Sequence, residues 1–91
     1  MLVVISYDTP DDKRRRKIVT LLRGVGERVQ YSVFEAHLEP RDIERLRKRI
    51  RKVIDQNLDS VRFYKLGEDY EKRVEIECYG VIHEEIELII L

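Results

Sequence analysis

Apolar residues open the chain as a block, Met1–Tyr7 (MLVVISY), short and β-branched in the way of a strand buried on both faces. The block stops at Asp8-Thr9-Pro10. Thr9 is placed to cap a helix with Pro10 at its first position, where a missing N–H is harmless. Asp11 and Asp12 then fall at the positive end of the helix dipole. Ile18, Leu21, Leu22 and Val25 recur at helical spacing and Gly24 and Gly26 mark a stop, which predicts a helix over about 10–24. Through residues 28–38 (RVQYSVFEAHL) the pattern becomes extended but changes phase. Val29, Tyr31 and Val33 share one parity, and Phe34, Ala36 and Leu38 share the other. One straight strand would send these sets to opposite faces. A bulge near Ser32–Val33 or a tight reversal resolves the conflict, and two short strands joined near Tyr31–Ser32 is the expectation.

Pro40 opens a second helix with Ile43, Leu46, Ile50, Val53 and Ile54 on one face. Asp59-Ser60 ends the connection, after which Val61 and Phe63 alternate with Arg62 and Tyr64 in a further strand. The order βαββαβ predicts two helices on one face of an antiparallel sheet, a ferredoxin-like α+β sandwich over 1–66. Beyond the turn at Gly67-Glu68-Asp69, Val74, Ile76 and Cys78 alternate with Glu75, Glu77 and Tyr79 as an additional C-terminal strand. The chain ends Leu88-Ile89-Ile90-Leu91, an apolar run expected to pack on a sheet. A homodimer in which such tails cross to the partner's sheet explains both features, with 67–91 serving dimerisation or partner docking within one domain overall.

Composition sharpens this picture in two ways. A 91-residue chain that is 43% hydrophobic and 40% charged is neither disordered nor membrane-spanning, since no run approaches about 18 apolar residues. A lone cysteine, Cys78, permits no internal disulfide and fits a cytoplasmic setting. The formal net charge of zero hides a segregation: residues 1–66 carry 16 Lys+Arg against 10 Asp+Glu, whereas 67–91 carry 2 against 8. A body at +6 with a tail at −6 presents two surfaces with different partners.

The basic body holds the candidate chemistry. Lys13, Arg14, Arg15, Arg16 and Lys17 run consecutively, so a helix fans them around its circumference and no more than two or three meet one ligand. Seven cations between 41 and 52, among them Arg45, Lys48 and Lys52, meet only Asp42 and Glu44. Pairing within the helix leaves charge over, and a polyanion such as nucleic acid is the expected ligand. A solvated charged face is the plainer reading. Asp8, at the strand end, is either a ligand for a hard divalent cation or a turn former. As a Mg²⁺ site it needs a second Asp8 brought up by a two-fold axis, together with phosphate oxygens. Tyr7, Tyr31, Phe34, Phe63 and Tyr64 are either base-stacking aromatics or core and interface fillers. His37 and His83 lack metal-ligand spacing, and no P-loop or nucleophile–base motif occurs.

VVISYD closing on Asp8, then TPDDKRRRKIVTLL, then GERVQYSVFEAHL and SVRFYKL, resemble the small CRISPR-associated adaptation protein family, an endoribonuclease family. The likeness covers 1–66, with YD, DDKRRRK and QYSVFE in that order. It implies a ferredoxin-like homodimer, the subunit that joins the spacer integrase, with Mg²⁺ shared between the protomers at paired Asp8 residues. It also implies endonuclease activity on single-stranded RNA or double-stranded DNA, with Tyr7, Arg15, Arg28 and Phe34 matching positions implicated in that activity. Lys17 stands where some relatives carry Arg, keeping charge while giving up bidentate phosphate binding. The alternative it implies is a non-catalytic scaffold, its basic surface holding protospacer DNA while it bridges subunits of the CRISPR adaptation integrase.

Overall fold

In the computed structural model, which describes residues 1–77, the first apolar block forms β1 (Leu2–Asp8). It lies inside a four-stranded antiparallel sheet of order β2-β3-β1-β4, with β2 at Glu27–Gln30, β3 at Val33–His37 and β4 at Ser60–Gly67. Alternation along β1 decides the layering. Val3, Ile5 and Tyr7 are buried and pair with Ala36, Phe34, Phe63 and Val61 on one face. Against that face pack Ile18, Val19 and Leu22 of α1 (Asp12–Arg23) and Ile43, Leu46 and Ile50 of α2 (Pro40–Arg51). This is the expected βαββαβ sandwich. Val4 and Ser6 point the other way and are only half-buried, so the described residues leave that face of β1 partly open.

The first helix starts later than its pattern suggests. Asp11, in extended conformation, is the N-cap and its carboxylate accepts from the Arg14 amide at 2.7 Å. Thr9 does not cap because its hydroxyl donates to the Asp59 carboxylate at 2.6 Å while accepting from the Asp11 amide at 3.2 Å. Pro10 therefore precedes the cap rather than following it. The phase change in 28–38 is a chain reversal at Tyr31–Ser32, accompanied by a register shift between Arg28 and Gln30. The second helix stops at Arg51, and Val53 and Ile54 reach the core from the following turn, both amides donating to the Ile50 carbonyl.

After β4 the chain turns through Gly67, whose φ of +82° suits glycine, into a short 3-10 turn at Tyr70–Lys72 (η1). Residues 74–77, expected to begin a fifth strand, carry no strand: their alternation finds no neighbouring edge among the described residues. The remainder of that expected strand and the tail from Cys78 onward lie outside the described residues. No helix among the described residues is long and apolar enough to cross a membrane.

Candidate functional site

Three of the expected functional residues meet where β1 ends. Tyr7, Asp8 and Arg15 line one depression of about 180 Å³, together with Thr9, Tyr31 and Ser32. Sheet register brings Asp8 there: it is the last residue of β1, opposite Ser60, and its side chain is exposed. One helical turn brings Arg15, which donates to the Thr9 carbonyl at 2.6 Å and pairs with Asp12. The hairpin tip closes the third side. Tyr7 Oη donates to the Tyr31 carbonyl at 2.9 Å and the Tyr7 amide to the Ser32 carbonyl at 3.1 Å.

Arg28 and Phe34 sit behind this surface. Tyr7, 5% exposed, lines the depression, and the fully buried Phe34 is not part of its lining, its ring centre lying 6.4 Å from that of Tyr7. The Arg28 guanidinium lies 5.5 Å from the Phe34 ring centre and 5.9 Å from that of Tyr31, with one nitrogen 3.5 Å from Tyr7 Oη. Cation–π attraction thereby ties β2 to the hairpin tip.

Beneath Asp8 lies a polar cluster that sequence reasoning missed. The Asp59 side chain is wholly buried and accepts from Arg14 Nε at 2.7 Å, a second Arg14 nitrogen at 3.1 Å, Thr9 Oγ1 and the Asp55 amide. The Arg14 hydrogen bonds hold the Asp59 carboxyl far below its ordinary range, against the opposing effect of burial, with Thr9 and the Asp55 amide adding to them. Since Thr9 follows Asp8 directly, this cluster anchors the end of β1. The only sequence cue is an Asp just before a strand, and its partner stands 45 positions away.

The five-cation run therefore divides by direction. Arg14 turns inward to Asp59, which removes its guanidinium from the basic surface where the sequence pattern places it. Arg15 serves the depression. Lys13, Arg16 and Lys17 are exposed and line a groove of about 510 Å³ with Thr20, Leu21 and Val53, between α1 and the end of α2. On α2, Arg45 approaches Asp42 only to 3.8 Å, and Arg47 and Arg51 approach Glu44 to 3.8 and 3.9 Å. Lys48 and Lys52 are exposed and make no ion pair among the described residues. The helix layer thus keeps cations available for phosphates, separate from the depression.

No group of three or more His, Cys, Asp or Glu able to hold a metal exists among the described residues, at Asp8 or elsewhere. Asp8 offers one exposed hard oxygen donor, of the kind a divalent cation combines with waters and substrate phosphates, and by itself it is an incomplete site.

Comparison with known proteins draws these features together. Residues 1–74 match the family described as CRISPR associated protein Cas2. Over 66 residues the chain is 53% identical to the CRISPR-associated endoribonuclease Cas2 3 of Synechocystis sp., covering 72% of either chain. The crystal structure of Streptococcus pyogenes Cas2 at pH 6.5 is similar with a TM-score of 0.74 and 37% identity, over 84% of this chain and 98% of that one. A chain of a partial Cas6–RT–Cas1–Cas2 complex is similar with a TM-score of 0.69 and 33% identity, over 84% and 89% respectively.

Proposed function

The chain belongs to the Cas2 family of CRISPR-associated proteins, and from that premise we propose that it acts as a homodimer in spacer acquisition, as a Mg²⁺-dependent endonuclease of single-stranded RNA or double-stranded DNA. The observation that carries this reading is the convergence of Asp8, Tyr7 and Arg15 on one depression. Arg15, oriented by the Thr9 carbonyl, meets a phosphate oxygen of the strand being cut. Asp8 of each chain would supply the carboxylates that hold the cation. When bound, Mg²⁺ supplies a water of lowered pKa and neutralises charge on the scissile phosphate. Tyr7 and Phe34 act by shape, fixing the hairpin tip and the strand end, and Arg28 braces both. The relative's name, endoribonuclease, supports this assignment.

Two copies meet through the open face of the sheet, where Val4 and Val33 are half-buried and Tyr64 is 46% exposed. The outer edge of β4 supports tail docking: a groove of about 400 Å³ beside it has an apolar floor of Ile50, Ile54, Val61 and Phe63. Arg47, Arg51 and Lys65 rim that groove and match the acidic, apolar character of 67–91.

A second reading has its own observation. Lys13, Arg16 and Lys17 share a groove and take no part in the depression, which leaves their charge free to meet backbone phosphates. As a non-catalytic scaffold the dimer holds protospacer DNA on this surface and bridges subunits of the adaptation integrase, and the similarity to a chain in a Cas1-containing complex supports that setting. Asp8→Asn distinguishes the two. The nuclease reading expects Mg²⁺-dependent cleavage to vanish while the dimer persists; cleavage that survives the substitution overturns it. The scaffold reading expects spacer integration to continue in the same variant.

A further inference from the structure

Of the aromatic residues singled out by the sequence, four are accounted for by packing or by the sheet. Tyr7 and Phe34 are buried, Phe63 is packed against the core, and Tyr64 lies on the open sheet face with its hydroxyl 3.5 Å from Arg62. Tyr31 is different. At 71% it is the most exposed large hydrophobic among the described residues, yet it borders the depression that holds Asp8 and Arg15.

Its position is held from two sides. The carbonyl accepts from Tyr7 Oη, so the backbone at the hairpin tip is fixed by a buried residue. The ring has the Arg28 guanidinium 5.9 Å from its centre, and that guanidinium is itself braced on Phe34. Burial explains none of this, because the ring stays in water. An exposed aromatic ring, backed by a cation and set beside an arginine and a carboxylate, is a stacking platform next to a phosphate site. Every nucleobase has a π face, and stacking on an aromatic side chain is sequence-tolerant.

Resting on the nuclease reading and deepening it, we propose that Tyr31 forms a nucleobase-stacking subsite for an unpaired nucleotide next to the phosphate held at Arg15. A base inside a duplex is already stacked on both sides. The subsite therefore selects single-stranded or locally opened nucleic acid at the depression, while the helix-layer cations bind phosphates of either form. Truncation at position 31 removes the ring and its Arg28 contact but keeps the Tyr7 hydrogen bond that fixes the hairpin tip, because that bond goes to the main chain.

A short single-stranded DNA carrying 2-aminopurine, whose fluorescence falls on stacking, tests this with Mg²⁺ present. The wild type and Tyr31→Phe are expected to quench the probe. Tyr31→Ala and Tyr31→Leu lose the quenching and bind the strand about tenfold or more weakly. A fully paired duplex of the same sequence binds all four proteins alike. Wild-type quenching and affinity in Tyr31→Ala overturn the subsite and leave the nuclease reading standing. Equal weakening toward strand and duplex also overturns it, making Tyr31 part of the general phosphate surface. If the wild type binds neither strand nor duplex, the nucleic-acid reading itself falls.

Discussion

At the scale of single residues, Asp59 shows how much one carboxylate organises. Four hydrogen bonds converge on it, from Arg14, Thr9 and Asp55, and they keep it ionised in the folded chain. Unfolded, the same carboxyl titrates near pH ~3.9, so lowering the pH protonates the unfolded chain first. The contribution is therefore present above about pH 4 and fades progressively below it. Asp59→Asn should lower the urea midpoint at pH 7 and flatten its decline toward acid. Parallel pH profiles for the two proteins would remove Asp59 from that role. The same substitution loosens Thr9, and a reduced turnover with Asp8 intact is the expected sign that the cluster positions the strand end.

At the scale of elements, the link between α1 and β2 turns on two glycines with opposite demands. A Cβ at Gly26 would lie 2.2 Å from the Glu35 carbonyl oxygen and 2.8 Å from Ala36 Cβ, so β3 leaves no room for it. Gly24 ends the helix at φ −71°, an ordinary right-handed conformation, and a Cβ there would meet the Leu21 carbonyl oxygen at 3.3 Å, a tight contact relieved by a shift of a few tenths of an ångström. Gly26→Ala is expected to cost about 1–3 kcal/mol through forced displacement of β3. Gly24→Ala should cost much less than Gly26→Ala, and thermal melts of the two variants check the contrast. The hairpin is legible in the sequence because alternation has a period of two, and a phase slip between Val33 and Phe34 permits few solutions. The start of α1 is not, because Thr9 and Asp11 both suit an N-cap. Only the distant Asp59 carboxylate decides which of them is free.

At the scale of the whole molecule, the proposed function depends on faces that the described residues of one chain leave open. Val4 lies at the centre of the sheet face away from the helices, paired with Glu35 and Tyr64. If two copies meet there, Val4→Glu should yield folded monomers by sedimentation and abolish cleavage together with dimerisation; a dimer that persists would move the interface elsewhere. On the opposite side, Arg16→Glu with Lys48→Glu should weaken duplex binding and reduce its salt dependence. The log–log slope is expected to fall by about 0.9 for each DNA phosphate that is no longer neutralised. An unchanged slope would take both residues out of the duplex interface.

Local pattern determined most of the secondary structure, the ferredoxin-like order and the presence of a basic body, because strand and helix periodicities are written in neighbouring residues. Asp8 came forward from its place at the strand end, whereas Tyr7 and Arg15 joined it only through the family resemblance. What it left undecided is direction. Five consecutive cations look equivalent along the chain, yet folding sends Arg14 inward to Asp59, Arg15 to the depression and the other three to the outer groove. Those assignments rest on partners tens of residues apart, and only tertiary packing brings such partners within hydrogen-bonding reach.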